Sequence, residues 1–473
     1  MTEVDVKPER LPSKENFIEW YNSLLQLAEI ADRRYPVKGT FVWMPYGLKI
    51  MKKLIEAWNR IFEENEIKEV YFPLFVPLEF AKINEEWFEG FKADAFYVEG
   101  ENSILRPTGE PAMYPIFKYW ILEGKLPIKI YQTTSSFRNE GKTTHTMIRD
   151  REITFWHEIH TAHKTKEEAK EEMEKHKKIY EYIFKEILNI PPICVEKPKY
   201  EIFPGAETAY EFYTILPNGR LLENGSVNNL GQAYAKKFNL FYTDEKGEKH
   251  YVWQVCTGNG ARFLVAAITL HGDERGLVLP PKIAPIKVVI ITIPKDGKYY
   301  FEEAEELKER LEKVGIETLI DKSDKTPGEK FSIWDINGVP IRIEIGEKEV
   351  NEGFYTVYRR DLKERTKVSK KEIEKVVKFL IEDEIPKSLY RKIEELYEQK
   401  IKGFESLEDA KKWIEEGGIA KASWCGKKEC FEEIKRLGPS IESIGFIVGE
   451  KRIGKCIVCN EATESLTLFG KTY

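Results

Sequence analysis

Apolar residues recur at helical spacing from Glu15 to Asp32 (Phe17, Trp20, Tyr21, Leu24, Leu25, Leu27, Ala28, Ile30 and Ala31), which predicts an amphipathic helix. Residues 33–50 bracket a short aromatic strand with glycine and proline, ahead of a second helix from about Gly47 to Glu64. EVYFPLFVP (69–77) reads as a strand, and its Pro73, unable to donate to a ladder, belongs at an edge or interface. Ser103 to Glu110 (SILRPTGE) reads as a strand entering a polar turn, followed by an aromatic-rich helix. Lys129 to Arg138 and Arg149 to Glu158 form a hairpin with a basic tip, Gly141 to Met147. Lys164 to Leu188 is a long charged helix whose i,i+4 pairs face solvent. Two hairpins, Ala209 to Leu222 and Phe238 to Gln254, are separated by the small-residue segment ENGSVNNLGQ. In QVCTGNGARFLVAAITLHG, glycines directly precede an apolar helix, as in a strand–loop–helix anion site.

To about Pro281 the pattern is antiparallel strands with covering helices and no βαβ alternation. From Lys287 strands alternate with helices (IKVVIITIP, GIETLIDK, GVPIRIEIG), then a hairpin around NEGFYTVYRR and a helix over Lys370 to Glu382 predict a compact α/β domain. A charged helix after Ile385 leads into a last unit containing SWCGKKECFEEI and GKCIVCNEA. The expected division is 1–283, 284–384 and 385–473, consistent with 473 residues exceeding a single core.

Composition narrows the function. Apolar content of 42% and charged content of 33% describe an ordinary folded chain, and no apolar run approaches the ~20 residues of a membrane span. The first residues lack the apolar stretch of a secretory signal, so a cytoplasmic location is expected. A net charge of −6 gives no global attraction for nucleic acid, and any RNA partner must be held by local patches. Cys425, Cys430, Cys456 and Cys459 form two short-spaced pairs suited to a tetrahedral structural zinc, with reduced thiols as the alternative. Cys194 and Cys256 read as ordinary buried thiols.

The charged hairpin is the strongest candidate site. Arg138 and Glu140, two apart, share a strand face, and Arg149 approaches from the returning strand. Guanidinium groups grip phosphate and carboxylate oxygens bidentately, so with Arg262 they suit in-line phosphoryl chemistry on ATP, with magnesium supplying further positive charge. A surface hairpin laced with salt bridges has the same spacing, and spacing does not separate the two.

FRNE (137–140), RDREITFWHEIHTAH (149–163), RPTGE (106–110), FPGAE (203–207), NLGQ (229–232) and HGDERGLVLPP (271–281) together resemble class II prolyl-tRNA synthetase of the archaeal/eukaryotic-like type, from about Trp20 to Tyr473. The resemblance implies an α+β protein: an antiparallel-sheet catalytic core, an α/β anticodon-binding domain and a small C-terminal zinc-binding α+β domain. It implies a homodimer with Pro73 at the interface, and proline, ATP with Mg2+ and tRNA(Pro) as ligands. On the matching positions, Arg138 would hold the α-phosphate and the amino-acid carboxylate, Glu140 would face ATP, Arg149 the γ-phosphate side and Arg262 the far phosphates. Asp150, Glu223, Ser226 and Gly260 would complete the nucleotide site. Thr108 and Glu110 would receive the imino group, with Glu158, His160, Asn228, Thr257 and Gly258 around the amino acid, and His163 in the same signature. Lys142 and His145 would meet the tRNA acceptor end, and Lys330, Trp334 and Arg342 would stack on or pair with anticodon bases, though Trp334 as core is an equal reading. The chain ends KTY, as family members do, with the terminal tyrosine packed toward the catalytic domain.

Departures concentrate in the pocket. GSVNNLGQ stands where the family has a Thr-Ser-His-His-Leu-Gly-Gln-like run, so Asn228 replaces a histidine; Glu223 replaces a glutamine; TGE replaces TSE; and CTGNGAR puts Thr257 and Asn259 where a bulky wall is expected. These changes are expected to enlarge and repolarise the amino-acid pocket while keeping the ATP-binding arginines. Two alternatives follow: a paralogue activating a proline-like or larger polar amino acid, and a non-catalytic tRNA-binding paralogue.

Overall fold

The computed structural model describes residues 10–83, 95–141, 143–202 and 206–473. Lys142 and residues 203–205 of the FPGAE stretch lie outside them.

The catalytic part is built on seven strands: β1 (Lys68–Glu69), β2 (Ile128–Phe137), β3 (Glu152–His163), β4 (Ile193–Glu196), β5 (Thr208–Ile215), β6 (Arg220–Gly231) and β7 (Trp253–Asn259). Their order is β4-β5-β6-β7-β3-β2-β1, antiparallel except for the β1 edge. Two expectations change here. ENGSVNNLGQ is not a connector but the body of β6, a row of small side chains on a sheet face. The 69–77 stretch is not one strand either: pairing holds at Lys68–Glu69 and again at Phe75–Pro77, and Pro73, with no N–H to donate, falls in the gap.

Helices Pro45–Glu64, Lys166–Tyr182 and Arg262–His271 cover one face of this sheet, which we call the back. The 166–182 helix starts at a Thr165/Glu168 capping box. Its inner face is more polar than expected, because Glu172 and His176 are buried rather than solvent-facing; Glu172 meets Lys129 at 2.8 Å and His176 at 3.2 Å.

The predicted α/β domain is present as a five-stranded sheet in the order Thr318–Ile320, Val288–Thr292, Ile341–Ile345, Phe354–Arg359, Glu364–Ser369, parallel in its first three strands. It is tied to the catalytic part by Asp273 of the HGDERG stretch, which accepts from Arg360 at 2.6 and 2.9 Å and from Lys363 at 2.9 Å. The last unit does not form a separate sheet. Ile441–Lys455 pairs with β4, and Ala462–Thr472 pairs with β6, so catalytic and C-terminal strands make one eleven-stranded sheet. Its end, Tyr473, is thereby carried to the hairpin tip, edge-on to His145 with ring centroids 5.9 Å apart.

Candidate active site

Strand alternation sorts the catalytic residues. In register across β2, β3, β7 and β6, Gln132, Glu158, Gly258 and Ser226 form one row, and Ile130, His160, Cys256 and Asn228 form the next. Both rows point to the front, away from the covering helices. The intervening positions point back: Asn259 donates to Tyr180 Oη at 3.0 Å, and Thr257 Oγ1 accepts from Ile159 N at 3.2 Å. This corrects the expectation for Thr257 and Asn259, which are packing residues behind the sheet and cannot widen a pocket in front of it. Cys256 and Gly258 are the β7 residues that face the site, and Trp156 covers Gly258 so closely that a Cβ there would stand 2.6 Å from the indole.

A bulge in β3, where Thr154 and Phe155 (φ +55°) stand opposite the single residue between Thr134 and Ser136 of β2, turns the end of β3. Phe155 packs on Trp43 while Ile153 and Trp156 enter the cleft. The cleft brings together Arg138, Glu140, Arg149, Asp150, Glu223, Gly260 and Arg262. Arg138 donates to the Pro107 carbonyl at 3.3 Å and lies 5.4 Å from the Trp156 ring; burial and the neighbouring Arg262 hold its guanidinium below its ordinary pKa. Arg262 is aimed by the Ile148 carbonyl (2.9 Å) and by Glu223, through its carbonyl at 3.0 Å and its carboxylate at 3.3 Å. Asp150, accepting from Met147 N at 2.9 Å, is pushed by burial up to about 8. Three guanidiniums gathered at one cleft, of which Arg262 is paired with Glu223, suit the arrangement to phosphate.

Deeper in, Thr108 donates to Glu110, and both are buried. Glu110, His160 and Cys256 approach one another to within 4.8 Å between ligand atoms, and Asn228 donates to Ser226 Oγ at 3.0 Å. His160 is bracketed by Tyr114 Oη (3.1 Å) and Glu158 (3.3 Å), and burial brings its pKa down to about 4, so the ring is neutral. Glu158 is differently placed from what the signature implies. Its two oxygens already meet Arg106, Gln132 Nε2 (2.8 Å), Gly109 N (3.1 Å) and Trp156 Nε1 (3.2 Å), so it orders the pocket rather than offering a free carboxylate. Arg106, Gln132, Ile153 and Trp156 were not singled out from sequence, and Cys256 was read only as a buried thiol; the two-residue spacing of Trp156, Glu158 and His160 was the available signal. His163 faces back and contacts Thr161 at 2.9 Å.

In the α/β domain Lys330 and Arg342 are inside and Trp334 is half-buried. Lys330 is buried with Nζ on the Asp321 carbonyl at 3.0 Å, and Trp334 Nε1 donates to Asp321 at 2.8 Å. Arg342 is buried between Phe331 and Tyr358, 4.0 Å from each ring, and is paired with Asp335 and Glu344 at 3.0 Å. The buried and committed polar atoms of Lys330 and Arg342 remove both as base contacts, while Trp334 has its Nε1 committed and its ring half-buried. Lys142 lies outside the described residues; His145 is at the hairpin tip. The four C-terminal cysteines bring their sulfurs within 4.8 Å of one another, with Cys425 Sγ 3.5 Å from Cys430 and 3.8 Å from Cys459. Backbone N–H groups, against the effect of burial, draw the Cys456 thiol down to about 7.

An antiparallel sheet with motif arginines on a hairpin and at a helix start, beside a separate α/β domain, defines a class II aminoacyl-tRNA synthetase. Three family models match in turn: the tRNA synthetase class II core domain (G, H, P, S and T) over residues 91–271, an anticodon binding domain over 287–380, and the prolyl-tRNA synthetase C-terminal domain over 407–473. The chain is 39% identical to proline–tRNA ligase of Methanopyrus kandleri over 97% of its length and 96% of that protein, and 37% identical to that of Pyrococcus abyssi over 98% and 100%. Among solved structures it superposes with TM-score 0.93 on prolyl-tRNA synthetase from Cryptosporidium parvum complexed with halofuginone and AMPPNP, at 30% identity. It superposes with TM-score 0.91 on the Giardia lamblia enzyme in complex with prolyl-adenylate, at 29%; each covers 98% of this chain and 99% of the other. The chain belongs to the prolyl-tRNA synthetase family.

Proposed function

We propose that this chain attaches proline to tRNA(Pro) in two steps within the cleft. A carboxylate oxygen of proline attacks the α-phosphorus of ATP, the bond to the β-phosphate oxygen breaks and pyrophosphate leaves. The 3′-terminal hydroxyl of the tRNA then attacks the acyl carbon and AMP departs. The observation that carries this reading is the convergence of Arg138 and Arg262 on one cleft, with the buried carboxylate of Glu110 close enough to act on the Arg138 guanidinium. Paired guanidiniums neutralise a phosphate in transfer, and a desolvated carboxylate matches a secondary ammonium.

In this reading Arg138 bridges the proline carboxylate and the α-phosphate, while Arg149 and Arg262 take the outer phosphates. Ile153 and Trp156 line the nucleotide side, with Asp150, Ser226 and Gly260 around it. Thr108 and Glu110 receive the imino group, and neutral His160 with Asn228, Cys256 and Gly258 shapes the space around the ring. Glu158 positions Arg106, Trp156 and the Gly109 amide. No general base is required, since positioning and charge stabilisation drive both steps. Glu140 and Glu223 are hard oxygen donors at the phosphate end, suited to Mg2+, which would supply further neutralisation of ATP. A tetrahedral zinc with bonds of ~2.3 Å sets its sulfurs ~3.8 Å apart, which supports a structural zinc on Cys425, Cys430, Cys456 and Cys459.

Three domains at 1–283, 284–384 and 385–473 and a homodimer belong to the same reading; exposed Tyr71 and Phe75 beside Pro73 supply an apolar edge for the second copy. No helix among the described residues is long and apolar enough to cross a membrane, in keeping with a cytoplasmic enzyme. The test is ATP–pyrophosphate exchange over a panel of amino acids. Proline should support exchange, and Arg138→Ala should lower it by about 10²–10³-fold, the loss typical of one charge-stabilising donor. Exchange with another amino acid but not with proline refutes the assignment.

A further inference from the structure

Beside the nucleotide cleft, sharing Asp150 as a common wall, lies a second cavity of ≈ 500 Å³. One side is the 33–40 loop, the other the hairpin tip at Thr144–Thr146. Two of the loop's three cations carry no ion pair among the described residues. Asp32 holds Arg34 at 2.6 Å, but among the described residues no carboxylate pairs with Arg33 or Lys38, both of which are exposed. The local field is positive: after burial, His145 is held below its ordinary pKa by Arg149, Arg220 and Arg33. Between the two cations Tyr35 stands 54% exposed.

The loop is nonetheless fixed in place. It leaves and re-enters a small ribbon, Ala31–Asp32 against Val42–Trp43, and Trp43 Nε1 donates to Thr154 Oγ1 at 2.7 Å. Gly39, at φ +73°, accepts from Arg151 N at 2.8 Å, and a Cβ there would stand 2.6 Å from Arg151 Cγ. The cations and the aromatic ring are therefore held at a set distance from the strand that carries the active-site hairpin.

Unpaired basic groups interleaved with an exposed aromatic, opening onto a phosphate-binding cleft, are the recognition elements of single-stranded RNA. A small anion would use the cations and leave Tyr35 idle. We infer that the 33–40 loop and the 144–146 tip together cradle the last nucleotides of the tRNA 3′ end, Arg33 and Lys38 taking phosphates and Tyr35 stacking on a base. This rests on the ligase reading and adds to it a second wall for the acceptor end, opposite His145.

The experiment uses the full chain with Arg33→Ala/Lys38→Ala, Tyr35→Ala and the conservative Arg33→Lys/Lys38→Arg. Three quantities are measured: proline-dependent ATP–pyrophosphate exchange, single-turnover transfer from preformed prolyl-adenylate to tRNA, and binding of intact tRNA and of tRNA lacking its three 3′ nucleotides. Exchange should stay within about twofold of the unmodified chain, since none of these residues lines the nucleotide cleft, while Tyr35→Ala should slow transfer about tenfold, the loss of one base stack. The double alanine variant should bind intact tRNA more weakly, with a log–log salt slope smaller by about 1.4, as for two single-strand phosphate contacts. It should bind truncated tRNA as the unmodified chain does, and Arg33→Lys/Lys38→Arg should restore binding. An unchanged preference for intact over truncated tRNA in the double variant overturns the inference, as does exchange falling as far as transfer. Absence of proline-dependent exchange in the unmodified chain would instead refute the ligase reading, which the two-tRNA binding comparison does not depend on.

Discussion

The two faces of the central sheet are made from the same four strands, yet they handle polar side chains in opposite ways. On the back, Thr257 and Asn259 spend their hydrogen bonds on the covering structure, at Ile159 N and Tyr180 Oη. On the front, Glu158 gathers donors from three elements, while Arg138, Arg149 and Arg262 line the cleft. A one-residue step along β7 therefore separates packing behind the sheet from the face that carries the cleft. The spelling of a motif says less about specificity than the parity of each position.

The largest expected effect tests the front-face hub. Glu158 and Arg106 are buried together, with the Arg106 guanidinium brought by burial down to about 10. Removing the carboxylate leaves a buried cation without its partner, which typically costs about 3–5 kcal/mol. Glu158→Ala should show this loss in denaturant unfolding, together with loss of exchange activity. A variant as stable as the unmodified chain would mean that Glu158 does not organise the pocket.

The next test sets the two faces against each other. Thr257→Val removes the side-chain acceptor of Ile159 N and should cost about 0.5–1.5 kcal/mol of stability with the KM for proline unchanged. Asn228→Ala, on the front, should raise the KM for proline several-fold. The comparison breaks if Thr257→Val shifts KM, for the side chain would then have to reach the amino acid.

Much of this was readable in the chain. The glycines before Arg262 mark a strand–loop–helix junction, FRNE and the returning RDRE mark a hairpin, and the cysteine spacing marks a cluster; all three depend on local chemistry. What was not readable depends on parity and on distant partners. Thr257 and Gly258 are consecutive on β7 and face opposite ways, but which of them faces the cleft is set by the side the helices cover. Lys330 and Arg342 look like RNA contacts in sequence because their partners, Asp321 and the Phe331/Tyr358 sandwich, assemble only in the fold.

The smallest effect concerns protons, and it again separates the faces. His160 on the front and His163 on the back are both brought by burial down to about 4, against an ordinary value near 6.5. In the unfolded chain each takes up a proton as pH falls through about 6.5, and in the folded chain only near 4. The unfolded state thus binds more protons in that window, so stability is full above about 6.5 and declines as pH falls toward 4. One unit into the window, each ring contributes about 1.4 kcal/mol less than at pH well above it. Asp150, raised to about 8, has the opposite sign, with stability full below about 4 and declining as pH rises through 8. Replacing His163 with Gln should flatten the acid side of a stability–pH profile without changing the KM for proline. The same change at His160, which faces Glu110 and Cys256, should flatten it and raise that KM. Equal behaviour of the two variants in both measurements would remove the distinction between the faces on which the site assignment rests.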